Sequence, residues 1–189
     1  PATSPSGNVH GMPVAALLGD PAMGFLLDGI ETAPLAPQAV HMVGVRSVDP
    51  EERRALRARG IDVADMRALD ERGTGRVIAD ILAEAAAADA ALHVSLDVDF
   101  LDPALAPGVG TAVPGGASYR EAHLAMEMLA ESGRLAAVDL VELNPFLDHA
   151  GMTARLLVEL AASLFGRSIL GPASASAGAR TPRTQGEMA

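Results

Sequence analysis

Three apolar stretches of this chain each run into carboxylates. Val40, Met42, Val43 and Val45 lead into Arg46-Ser47-Val48-Asp49. Leu92, Val94 and Leu96 lead into Asp97-Val98-Asp99, and Val138, Leu140 and Val141 lead into Glu142-Leu143-Asn144. On a strand, Asp97 and Asp99 leave the same face and can both reach one ion. Two carboxylates in an apolar strand repel each other and lose hydration unless a cation compensates them. Oxygen ligands of this kind suit Mg, Ca or Mn, and added histidine favours a transition metal such as Mn. Taken singly, Asp99 fits equally as a turn residue and Asp102 as a cap before Pro103. Asp97 lies inside the apolar run, has no ordinary structural task there, and points to metal ligation of the pair.

Glu142 ends a run in which an isolated carboxylate is costly, so it calls for a cationic substrate group or for an arginine of this chain. Asp49-Pro50-Glu51-Glu52 places an aspartate cap before a proline at the first helical position, with Glu52 three residues after the cap. Capping does not preclude contact with a ligand. Ser6-Gly7-Asn8-Val9-His10-Gly11 alternates hydroxyl, amide and imidazole side chains in a loop, a set able to converge on a small polar molecule. The imidazole titrates near neutrality and can shuttle protons, although a loop histidine also serves as plain surface. His41 and His93 read as satisfied core histidines, His123 as helix surface and His149 as loop. Gly108-Val109-Gly110 does not extend to a dinucleotide motif, because Val113 stands where the last glycine belongs.

The elements that must hold these residues follow from punctuation and period. Residues 1–13 read as an extended loop, 13–18 as a short helix and 19–37 as irregular chain rich in Gly and Pro. Strands are expected at 38–46, 61–63, 92–98 and 136–143, the first, third and fourth of them buried. Helices are expected from Pro50 to near Gly60 and at 74–88, 118–129 and 153–165; the third opens on the capping box Ser118-Tyr119-Arg120-Glu121. Residues 102–116 form a long loop of the kind kept for function. From residue 171 the chain lacks the apolar content to offset its ordering entropy, so 171–189 is expected to be a disordered tail and 1–170 the folded part. Buried strands alternating with helices imply an α/β fold whose parallel sheet is covered on both faces, with its site at the carboxyl ends of the strands.

Composition narrows the chemistry further. A chain of 189 residues is one domain or most of one. At that size it buries roughly 70% of its unfolded surface. It has no cysteine, which removes thiolate nucleophiles, disulfides and iron–sulfur clusters and fits a reducing, cytoplasmic setting. All 14 basic residues are arginine, so lysine Schiff bases and a Walker phosphate loop are excluded. A net charge of −10 with scattered arginines argues against a nucleic-acid partner. The apolar stretches fall short of the ~20 residues a bilayer span needs, so no membrane partner is expected.

The ordered series Ser6 to Gly11, Ser95-Leu96-Asp97-Val98-Asp99 with Leu101-Asp102-Pro103, Gly110-Thr111, Gly115-Gly116, Ser118 to Glu121 and Val141 to Pro145 resembles the ureohydrolases, and within them the arginase branch. The resemblance covers about residues 3–169. It implies a three-layer αβα parallel-sheet fold and manganese-dependent hydrolysis of L-arginine to L-ornithine and urea by a metal-bridging hydroxide. It implies, too, a pair of Mn ions in a complete site and a homo-oligomer. By position, Asp97 and Asp99 resemble metal ligands, His10 the proton shuttle, and Glu142 the carboxylate that receives the guanidinium. Thr111 matches a threonine beside that group; Ser6 and Asn8 resemble residues recognising the α-carboxylate, and Asp49, with Glu52 nearby, one recognising the α-amino group. Phe100, where many members carry glycine, and Ala112 are departures. The family's Asp-x-His-x-Asp motif occurs nowhere in this sequence, so the chain reads as the carboxyl-terminal part of such an enzyme, short of its early strands and weak in metal binding by itself. Alternatives are an agmatinase or guanidino-acid hydrolase of the same superfamily, or a catalytically dead assembly or regulatory subunit.

Overall fold

Aspartate or serine side chains cap three of the α-helices among the described residues. A computed structural model describes residues 7–169; Ser6 and the tail expected at 171–189 lie outside the described residues. A 3₁₀ turn at Val9–Gly11 leads to α1 (Pro13–Leu17), and two further 3₁₀ segments, Pro21–Leu27 and Pro37–Ala39, precede β1 (His41–Val45). Then come α2 (Pro50–Arg59), β2 (Asp62–Asp65), α3 (Met66–Arg72), α4 (Thr74–Ala87), β3 (Leu92–Asp97), a 3₁₀ turn at Val98–Phe100, α5 (Tyr119–Glu131), β4 (Leu135–Val141) and α6 (Met152–Leu164).

Local chemistry accounts for these boundaries. Asp49 accepts hydrogen bonds from the N–H groups of Glu51 and Glu52 at 2.9 and 2.8 Å, and Gly60 closes α2 in the left-handed conformation. Ser118 and Glu121 form the full reciprocal box that starts α5. The sequence reading missed α3, whose start is the Asp65 side chain accepting from Ala68 N–H at 2.8 Å. At seven residues it shows too little periodicity to stand out.

β1 pairs with β2 and β3 with β4, both parallel, as two hydrogen-bonded pairs. The α/β class with parallel strands therefore holds. Burial of the last strand does not: Ala136, Ala137, Asp139, Leu140 and Val141 of β4 are exposed. An apolar run shows that a strand is suited to burial, but a covering surface must also be present. Along β3, Leu92, Val94 and Leu96 enter the main core with Ile78 of α4, Ala122, Ala125, Met126 and Leu129 of α5, and Leu156, Leu157, Leu160 and Leu164 of α6. The alternate residues His93 and Ser95 face outward. A smaller cluster of Ala64, Leu69 and Val77 joins β2, α3 and α4, and Phe100 packs against both clusters. The Phe100 ring lies over Gly44 (φ +78°), where a Cβ would come within 2.3 Å of it, so the bulge in β1 admits glycine alone. No helix among the described residues is long and apolar enough to cross a membrane.

Candidate active site

The carboxylates foreseen at the strand ends gather where β3 and β4 finish. Asp97 is the last residue of β3, and the chain turns at once into the 3₁₀ segment Val98–Phe100. Asp97 and Asp99 are therefore not same-face neighbours on one strand, which corrects the spacing argument. They meet instead because the turn folds back, with Asp99 N–H donating to Asp97 Oδ1 at 2.9 Å. Burial pushes the Asp97 carboxyl up to about 7, the Asp99 N–H opposes this, and the negative charges of Asp99 and Glu142 add to it.

Glu142 stands one residue past β4 with φ +66°. A bulky side chain seldom adopts that conformation. His10 Nδ1 lies 3.1 Å from Glu142 Oε1, although the two are 132 residues apart in sequence. The Glu142 side chain is 30% exposed and that of His10 66%. Of the two compensating partners considered for Glu142, an arginine of this chain is not used: no arginine forms an ion pair with it among the described residues.

Residues 102–116 wrap this edge. Asp102 accepts from Ala104 N–H at 2.9 Å, Gly115 N–H at 2.8 Å and Gly116 N–H at 3.3 Å, and these donors hold its carboxyl below the usual range against a smaller opposing effect of burial. Its role as a turn-maker is thus realised across the whole loop. Asn144 N–H donates to Gly108 O at 2.8 Å and Gly108 N–H to Thr153 Oγ1 at 2.8 Å, which fastens the loop to the end of β4 and to α6. Thr111 is exposed on this loop. Asp49, half-buried past the end of β1, uses Oδ1 for both capping bonds, and Glu52 is exposed on α2. No hydrogen bond or ion pair joins Asp49, Glu52 or Thr111 to Asp97, Asp99 or Glu142 among the described residues. Asn8 is exposed beside His10, and Ser6 lies outside the described residues.

Arg46 had no candidate role in the sequence reading. It donates Nε–H to Val113 O at 2.9 Å and Nη2–H to Asp99 O at 2.5 Å and Leu101 O at 3.3 Å. The signal available was an arginine immediately after an apolar strand run, at the edge where the candidate carboxylates collect. Two histidine expectations need correction. His93 is exposed and pairs with Asp139 at 2.9 Å, because it alternates onto the open face of β3. His123 is 6% exposed, with Nδ1 2.9 Å from Ser163 Oγ, because it points from α5 toward α6. His41 is half-buried and paired with Asp62 at 3.0 Å, as a satisfied histidine should be.

The donor chemistry at Asp97 and Asp99 suits a hard divalent cation, since these half-buried neighbouring carboxylates form no ion pair among the described residues. The pair supplies only part of a coordination sphere. Among the described residues no group of three or more His, Cys, Asp or Glu is arranged to hold a metal ion.

Comparison with known proteins gives a consistent picture. A family model described as "Arginase family" matches residues 1–166. The arginase of Agrobacterium fabrum is 56% identical over 169 residues, covering 88% of this chain and 51% of that protein. The native structure of arginase from Bacillus caldovelox superposes with a TM-score of 0.83 at 45% identity, over 89% of this chain and 56% of that one. A structure of Entamoeba histolytica arginase in complex with L-ornithine aligns with a TM-score of 0.79 at 30% identity, over 88% of this chain and 55% of that one. The chain thus spans about half the length of the curated relatives it matches.

Proposed function

The chain belongs to the arginase family, and from that premise we propose that it carries the guanidinium-binding and proton-transfer half of a site that hydrolyses L-arginine to L-ornithine and urea. The observation that supports this most directly is the contact of His10 with Glu142 at 3.1 Å beside Asp97 and Asp99. Asp97 and Asp99 would hold manganese, with further ligands completing the sphere. When bound, the metal pair supplies the positive charge that ionises a water molecule near neutral pH.

The chain's own residues do the rest. The Glu142 carboxylate, aimed by its left-handed backbone, accepts the N–H groups of a planar guanidinium and turns its central carbon toward the aspartates. Addition of the water oxygen to that carbon makes a tetrahedral centre, and the bond to the side-chain nitrogen of ornithine then breaks. That nitrogen leaves as an amine and must gain a proton. His10 delivers it, because its imidazole reaches the Glu142 carboxylate and is open to solvent for reprotonation. Thr111 and Asn8, with Ser6, contact the polar ends of the substrate, and Asp49 offers its second carboxylate oxygen to the α-amino group. The protein is proposed to be a cytoplasmic homo-oligomer, in keeping with the family resemblance.

The test is urea release by the full-length, manganese-supplemented protein, with L-arginine and agmatine as competing substrates. L-Arginine should be preferred, and Asp49→Ser should narrow the preference by raising KM for L-arginine alone. Faster urea release from agmatine would overturn the substrate assignment.

A further inference from the structure

Arg46 lies immediately past β1, half-buried, and forms no ion pair among the described residues. Its guanidinium is directed to main-chain carbonyls from two separate segments: Asp99 and Leu101 of the turn after β3, and Val113 of the long loop. The Asp99 residue is consequently held on both sides, its N–H by Asp97 Oδ1 and its carbonyl by Arg46 Nη2. Leu101 is the point at which the loop closes back. Ala117 N–H donates to Phe100 O at 2.9 Å, Asp102 N–H donates to Ala117 O at 3.0 Å, and a Cβ at Gly116 would meet the Leu101 carbonyl at 2.5 Å. Val113 sits two residues from Thr111 and two from Gly115, whose N–H is held by Asp102. One cation therefore joins the ends of β1 and β3 and the loop bearing Thr111.

The geometry points to Arg46 as a positioning residue that clamps the Asp97–Asp99 turn and the Thr111 loop into one frame. This rests on the functional reading above for what the frame serves. Arginine suits the task because its rigid planar fork presents donors in several fixed directions at once, whereas lysine offers a compact point charge on a flexible stem. Loss of the fork leaves carbonyls of both segments without their shared donor, so the turn and the loop loosen against each other, held only by the Asp102 and Ala117 bonds. Metal affinity and substrate turnover then fall together, with the fold largely retained.

The experiment compares the full-length protein with Arg46→Lys, using Leu164→Ala, beside Leu135 at the start of β4 and away from the Asp97 end, as a control for general destabilisation. Deuterium uptake over residues 97–103 and 111–117 should rise in Arg46→Lys, Mn²⁺ affinity by calorimetry should drop at least fivefold, and kcat at least tenfold. In Leu164→Ala these three readouts should stay near those of the unaltered protein. Unchanged uptake in Arg46→Lys, or equal losses in the control, would overturn the clamp. If the parent releases no urea from L-arginine, the functional reading fails while the exchange data still decide the clamp. Should Arg46→Lys not fold, the unaltered protein decides: the clamp requires slow exchange of the Arg46 Nε proton and hindered rotation of its guanidinium by NMR, and a freely rotating guanidinium refutes it.

Discussion

Glu142 occupies a backbone conformation that costs about 1–2 kcal/mol for a residue with a Cβ. Glycine at this position relieves that strain and removes the carboxylate. Glu142→Gly is therefore expected to raise the urea-denaturation midpoint while abolishing urea production. A drop in stability would show that the side chain contributes more to folding than its strain removes. Glu142→Gln keeps shape but loses charge, and its kcat/KM for L-arginine should fall by about a hundredfold or more, as truncating one member of a charge-assisted pair does. Asp49 has two tasks that substitution can separate. Asp49→Ala removes the cap of α2 and should cost about 1 kcal/mol, whereas Asp49→Ser keeps a capping oxygen and should leave the melting temperature near that of the parent.

Helices α4, α5 and α6 meet across the main core, and Leu160, fully buried, lies at its centre. Leu160→Ala should cost about 2–5 kcal/mol in equilibrium unfolding, because the helices cannot fully collapse into the space left. His123 joins α5 to α6 through Ser163, and burial pushes its pKa below the ordinary 6.5, with nearby Glu127 and Glu159 opposing. Between that lowered value and 6.5 the unfolded chain binds more protons than the folded one, so stability rises with pH through this window. It is fully present above 6.5 and lost as the pH falls. Thermal melts across this range should show the dependence, and His123→Leu should flatten it. At this scale the caps of α2 and α5 were legible because Asp49 and Ser118 act on N–H groups two or three residues away. Helix α3 was not, since a single cap before a short segment is a weak pattern.

For the molecule as a whole, the metal prediction follows from ligand count. The 189-residue chain, titrated with Mn²⁺ in a calorimeter, should bind no pair of ions tightly, because Asp97 and Asp99 form no larger donor group among the described residues. Tight binding of two ions per chain would refute this. The open face of β3 and β4, with Leu140 and Val141 exposed, should make the chain associate as its concentration rises. Light scattering that stays at monomer mass into the high micromolar range would count against that expectation.

Strand-end carboxylates, helix caps and the punctuation of loops were readable in the sequence because each depends on residues within a few positions of one another. Asp97, Asp99 and Glu142 could be nominated in this way, and the motif series pointed to the family. Only the tertiary structure decided that His10 meets Glu142, that Asp99 reaches Asp97 through a turn and not along a strand, that Arg46 bridges two distant segments, and that β4 is open to solvent. Contacts between residues far apart in sequence are set by how elements pack, and burial is set by what lies across a face. Neither is encoded in the period of a single strand or helix.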